Sequence, residues 1–294
     1  MAKGKELKGR IRSTENTRKI TRTMEMVATS KLKRATDRVA SARPYAQALS
    51  AVLSHVHSHE LADRFPLLRQ PAAPRRVVLL LLTANRGLCG AFNAHLIKEA
   101  RNRIDEFEKQ GLSVELHVVG RKGAGFFRYI NRPMASTRTD ITDKPSAADA
   151  ASLIDALMQR FADGELDAVH VTYANYRSAL STPPVTDQVL PVLAPATATG
   201  TQSAQAVQHD FILAPSAEAI LEALLPLYVR NAVYRALVET EAGFQSAQRT
   251  AMKNATDNAT DLLQELRRTY NSARQAQITQ EIAEIVGGAS ALQG

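Results

Sequence analysis

Two apolar heptad seams, one at each end of the chain, constrain the fold more than any other feature. In the first, Leu7, Ile11, Thr14, Arg18, Thr21, Glu25, Ala28, Leu32, Ala35, Val39, Ala42, Ala46, Leu49, Leu53 and Val56 alternate spacings of four and three. Such spacing keeps one face of a helix against a partner helix. Its four polar members run consecutively from Thr14 to Glu25. Over that stretch the apolar stripe is expected to move to Ile20, Met24 and Val27, turning a different face of the helix to its surroundings. Pro44 lies inside the pattern and predicts a local irregularity in the preceding turn. In the second seam Ile220, Leu224, Leu227, Tyr234, Val238, Met252, Ala255, Ala259, Leu262, Leu266 and Ala273 follow heptad-like spacing.

Between the seams the period changes. Val77 to Thr83 is a continuous apolar run of the kind that forms a buried strand, and Val114–Val119 and Asp167–Tyr173 read the same way. Helical patterns lie between them at Asn93–Lys109, Gly123–Tyr129 and Ala147–Phe161. Alternating strands and helices imply a small parallel, Rossmann-like α/β domain. Pro183–Gln205, rich in Pro, Ala and Thr, reads as a loop. The expected organisation is an N-terminal coiled-coil helix over 1–58, an α/β domain over 75–195 and a C-terminal coiled-coil helix over 212–294. The two helices should pair antiparallel, with the α/β domain inserted between them. At ~1.5 Å per residue the second helix would reach ~115 Å against ~80 Å for the first.

The excess of the second helix has a distinct chemistry. Beyond Arg274 there is no Lys or Arg, and Ile278, Ile282, Ile285, Ala289 and Leu292 form a new apolar stripe. A lone helix with such a face should not sit in water. It either folds back onto the α/β domain or, as expected here, enters an apolar sleeve supplied by another protein. Arg274, Gln275, Thr279, Glu281 and Glu284 stand where the seam gives way to this tip. Surface decoration would account for them; so would hydrogen bonding to partner loops, for which Arg is suited by its bidentate fork.

Charge narrows the partner without naming it. Residues 1–38 hold twelve Lys and Arg against four Asp and Glu, which is the whole of the net charge of +8. A basic helix seeks an acidic protein, nucleic acid or an anionic membrane. No apolar run approaches the length of a membrane span, and the N-terminus lacks an apolar signal core, so an intracellular protein without membrane insertion is expected. The single cysteine, Cys89, excludes an internal disulfide and a cysteine-rich zinc site.

No catalytic constellation emerges. Gly87-Leu88-Cys89-Gly90 and Gly120-Arg121-Lys122-Gly123 lie at strand–helix turns but match neither phosphate-binding pattern, so tight turns are the expectation. His55, His57 and His59 would point apart on a helix. No Ser/His/carboxylate grouping stands out, and no metal, cofactor or catalytic residue is expected. A basic coiled coil that binds nucleic acid remains open, although residues 1–44 contain no Phe, Tyr or Trp for base stacking. An α/β enzyme with helical arms is a second alternative.

Several runs resemble the γ subunits of F-type ATP synthases. Near the N-terminus these are Lys19-Ile20-Thr21, Met24-Glu25-Met26-Val27-Ala28, Ser30-Lys31-Leu32 and Ala42-Arg43-Pro44-Tyr45. Near the C-terminus they are Ala251–Ala259, Tyr270–Ile282 and Glu284–Ala289; the Arg86–Gly90 turn also fits. The resemblance implies a bacterial, non-catalytic rotor shaft inside a ring of α and β subunits, with its α/β domain near the ε subunit and the membrane c-ring. It further implies a peripheral location on the cytoplasmic face of the inner membrane, with no nucleic-acid partner. By the same likeness Met24, Lys31, Arg249, Arg274, Gln275, Thr279, Glu281 and Glu284 contact β subunits, and the apolar tip turns in a bearing. The stretch Glu241–Gln248 departs from the family's usual Ser-Glu-His/Gln before its arginine.

Overall fold

The computed structural model describes residues 2–56, 65–71, 73–141, 143–192 and 217–291. Helix α1 covers Ala2–Val56, with Pro44 inside it. A short 3-10 turn at Pro66–Leu68 precedes strand β1, Arg76–Leu82. Then follow α2 (Phe92–Lys109), β2 (Ser113–Val119), α3 (Arg121–Tyr129), β3 (Ser136–Arg138), α4 (Ala147–Ala162), β4 (Ala168–Ala174), β5 (Pro184–Leu190) and α5 (Ala217–Ala291). The chain divides into two units, residues 31–247 and residues 1–30 with 248–294.

The larger unit is built on a five-stranded sheet of order β3-β2-β1-β4-β5. The first four strands are parallel and β5 pairs antiparallel with β4, so the sheet is mixed rather than purely parallel. β5 occupies most of the described part of the stretch expected to be a loop. It escapes pattern reading because it is an edge strand: Pro184 opens it, where a missing N–H costs least, and Asp187 and Gln188 stay exposed. β1 is apolar and buried on both faces from Val77 to Leu82, which is why it is legible.

One face of the sheet packs Val78, Leu80 and Leu82 against Ile154, Leu157 and Phe161 of α4 and against Leu221, Leu225, Val229 and Val233 of α5. The other packs Leu79 and Leu81 against Leu96, Ala100 and Ile104 of α2 and Phe127 of α3. This corrects the phase of the second seam. Over its first turns α5 buries residues spaced by four because its neighbour is a sheet face, leaving Leu227 exposed. Farther along, Val238 and Ala242 meet Ala35 and Val39 of α1, so the two long helices are in contact in this unit.

They also pair in the smaller unit, where Leu7, Thr21 and Ala28 are buried on α1 and Met252, Thr256, Ala259, Leu263 and Leu266 on α5. Thr256 Oγ1 donates to Thr21 Oγ1 at 2.9 Å, and Arg267 reaches Glu15 at 3.4 Å, an antiparallel arrangement. The expected displacement of the stripe to Ile20, Met24 and Val27 does not occur. Ile20 and Val27 are exposed, Met24 is half-buried, and Thr21 stays in the seam. A hydroxyl paired with a hydroxyl satisfies its bonding inside the interface, so a polar seam position needs no rotation of the helix.

Candidate functional site

The glycine turns invite a phosphate-site reading, and the structure fills them with protein. Gly120 has φ 100°, and a Cβ there would stand 2.1 Å from the Thr83 carbonyl oxygen. At the start of α3 the Arg121 N–H donates to Asn85 Oδ1 (3.0 Å) and the Gly123 N–H to Thr83 Oγ1 (3.0 Å). Amide donors that could cradle an anion are therefore already used. At the other turn Leu88 and Gly90 take positive φ, and Asn93 closes the loop by accepting from the Ala84 N–H (3.0 Å) and donating to Cys89 Sγ (3.2 Å). Burial pushes the Cys89 thiol up, as expected of an inert core cysteine.

One grouping that sequence spacing does not reveal is formed by β2 and β3. His117 Nδ1 lies 2.6 Å from Ser136 Oγ, and its Nε2 lies 2.8 Å from Glu115 Oε1. The resemblance to a Ser-His-carboxylate relay is superficial. Both oxygens of Glu115 are held by Arg160 at 2.9 Å, and this guanidinium lowers the carboxyl to about 2. The carboxylate thus clamps α4 to the sheet, and the serine fastens the short edge strand.

The residues expected to meet a partner fall into two places. In the smaller unit Arg249, Arg274, Gln275, Thr279, Glu281 and Glu284 are exposed on α5 and Met24 is half-buried on α1. Gln277 Nε2 donates to Glu281 Oε1 and Gln280 Nε2 to Glu284 Oε1, both at 2.9 Å, and Thr279 Oγ1 donates to the Gln275 carbonyl at 3.0 Å. These one-turn bonds order a polar face along the helix. Beside it Ile278, Ile282, Ile285 and Val286 are exposed, Ile285 to 72%. Ala289 is helical, but its side chain, like Leu292, lies outside the described residues.

Lys31 belongs to the larger unit and already has a partner, since its Nζ lies 2.6 Å from Asp143 Oδ2. Arg38 Nη1 donates to the Asp143 carbonyl at 3.1 Å. Across from them on α5 stands Glu241, whose Oε1 accepts from Gln245 Nε2 at 2.6 Å. Burial, reinforced by the Asp143 charge and opposed by Gln245, Lys31 and Arg38, pushes the Glu241 carboxyl up to about 7. Lys31, Arg34, Arg38, Asp143, Lys144 and Glu241 line a cavity of about 130 Å3. Spacing along the sequence did not single out this cluster. The available signal was a pair of acids, Glu239 and Glu241, in the mostly buried run 236–246 of α5.

Among the described residues no helix is long and apolar enough to cross a membrane, and no group of three or more His, Cys, Asp or Glu could hold a metal ion. A family model described as ATP synthase matches residues 3–292. The chain is 84% identical over 294 residues to the ATP synthase gamma chain of Gemmatimonas aurantiaca, covering 100% of both. It is 41% identical over 292 residues to that of Leptospira biflexa, covering 99% of this chain and 100% of the relative. Its fold is similar to a chain of the Euglena gracilis mitochondrial ATP synthase, seen in an OSCP/F1/c-ring structure. The TM-score is 0.67 at 20% identity, covering 99% of this chain and 95% of that one.

Proposed function

This chain belongs to the family of ATP synthase gamma chains, and from that premise we propose how its surfaces couple rotation to the chemistry of its neighbours. It is the central-stalk subunit of an F-type ATP synthase and is itself non-catalytic. In our reading it stands within a ring of α and β subunits, with the ε subunit and the c-ring at the α/β domain. It sits peripherally on the cytoplasmic face of the bacterial inner membrane, without entering it. The working parts are the N-terminal helix (1–58), the α/β domain (75–195) and the C-terminal helix (212–294).

The observation that carries this reading is the apolar stripe Ile278, Ile282 and Ile285, exposed beside a hydrogen-bonded polar face. The stripe fits an apolar bearing continued by Ala289 and Leu292. Arg274, Gln275, Thr279, Glu281 and Glu284 then lie at the height of β-subunit loops, with Met24, Lys31 and Arg249 lower on the shaft. A single asymmetric shaft cannot touch three β subunits alike, so each is biased to a different conformation and nucleotide affinity. Turning the shaft permutes those states and releases ATP from each in turn.

The test is photo-crosslinking from position 282 of the full chain mixed with α and β subunits. Adducts to α and β, together with ATPase activity that depends on this chain, are expected. Adducts only to the chain's own α/β domain would overturn the bearing.

A further inference from the structure

We propose that the cavity between α1, the loop after β3 and α5 is a binding site for a small tetrahedral dianion of the phosphate class, held by Lys31, Arg34, Arg38 and Lys144. The site lies wholly within the unit formed by residues 31–247. Lys31, Arg34 and Arg38 are spaced by three and four, which places them on one face of α1. Lys144 enters from the loop, so cations approach from two elements and do not form a solvated row along one helix. The cavity of about 130 Å3 is well above the roughly 10–15 Å3 that seats one water.

The carboxylates present organise the site without cancelling it. Asp143 is drawn onto α1 by the Lys31 ammonium at 2.6 Å and by the Arg38 guanidinium at its carbonyl, which fixes the loop that carries Lys144. Asn85 Nδ2 pins the same loop by donating to the Ile141 carbonyl at 2.9 Å. Glu241 bonds to Gln245 one turn away on its own helix. Gln245 is 2% exposed, and its Oε1 is buried without a hydrogen-bond partner among the described residues. A neutral Glu241 keeps a carbonyl oxygen that can still accept from Gln245 Nε2, so protonation leaves this bond in place while removing the charge. Asp143 would then be the one charged carboxylate among the lining residues. Two guanidinium forks and two ammonium groups offer more donors than a monatomic anion can use and suit one with several oxygens.

The ligand could be a free oxyanion or the terminal phosphate of a nucleotide, and the two need separate arms. Sulfate, inorganic phosphate and metal-free ATP would each be titrated into the full chain by calorimetry at constant ionic strength. Sulfate keeps its charge across the range, so any pH dependence of its binding reports the protein. The groups facing Glu241 are Lys31, Arg34, Arg38, Asp143 and Lys144 from the other two elements and Gln245 from its own. The expected result is one saturable site for sulfate that weakens about tenfold as Glu241 ionises between about pH 6 and about pH 8. Glu241→Gln should remove that dependence. Lys144→Gln, on an exposed loop position where folding is not at stake, should weaken binding about tenfold at every pH, and Arg38→Gln should do the same. Tighter binding of phosphate than ATP would identify the free ion as the ligand, and the reverse order the nucleotide. Absence of saturable binding in all three arms, or binding indifferent to Lys144→Gln and Arg38→Gln, would overturn the proposal.

Discussion

Replacing Glu241 by glutamine should stabilise the larger unit at alkaline pH and change nothing in acid. The carboxyl is withdrawn from water between α5, α1 and the loop of Asp143, and it is pushed up from 4.5 to about 7. The folded chain therefore holds this proton more tightly than the unfolded chain. The stability linked to it is complete below about 4.5, falls as pH rises towards 7 and is lost above that. A displacement from 4.5 to about 7 corresponds to about 3 kcal/mol at 1.36 kcal/mol per pKa unit. Glu241→Gln keeps the shape, removes the ionisation and leaves an amide oxygen that can still accept from Gln245 Nε2. Urea unfolding of the full chain, followed by circular dichroism, should show equal midpoints at about pH 4. By about pH 8 the variant should lead by about 3 kcal/mol, with unchanged m. Parallel pH profiles for the two proteins, or a variant less stable in alkali, would refute the reasoning.

Leu225→Ala should cost about 2–5 kcal/mol, because the side chain is sealed between α5 and the sheet, whereas Leu262→Ala should stay within about 0.5 kcal/mol; thermal unfolding separates them. Thr21→Val or Thr256→Val alone should each cost only about 0.5 kcal/mol, because the remaining hydroxyl keeps a bond within its own helix, Thr256 to the Met252 carbonyl and Thr21 to the Arg18 carbonyl; a double-mutant cycle reads the coupling between them directly. Arg160→Met should return the Glu115 carboxyl towards 4.5. The stability held by that pair is present above about 4.5 and disappears as pH falls to about 2, so acid unfolding should begin at higher pH in the variant. Both side chains are about a third exposed, and solvent screening leaves about 1–2 kcal/mol.

What could be read from the sequence follows how each element is buried. β1 and the capped α4, with Ser146 and Asp149 bonding reciprocally at its start, carry their whole signal locally. β3 and β5 do not. A three-residue strand and a proline-opened edge strand owe their conformation to the neighbour they pair with, and their composition reads as loop. The phase of α5 around Leu221–Val233 is not legible because one helix serves two partners, a sheet face and then another helix, with different spacings. The apolar tip was legible because an uninterrupted run without cations is a one-dimensional signal. The cluster around Glu241 was not, since its members come from residues 31–38, 143–144 and 241–245 and only the fold brings them together.

The buried hydroxyl pair between α1 and α5 has a mechanical consequence. A two-ply cord transmits twist only when its plies cannot creep along one another. Sliding by one heptad would set Thr21 against Leu263 or Arg249, breaking the bond between the helices and leaving its hydroxyl only the Arg18 carbonyl of its own helix. Leucine in place of both threonines would add apolar contact and erase that detent. Grip against creep, rather than cohesion, is what the two hydroxyls contribute.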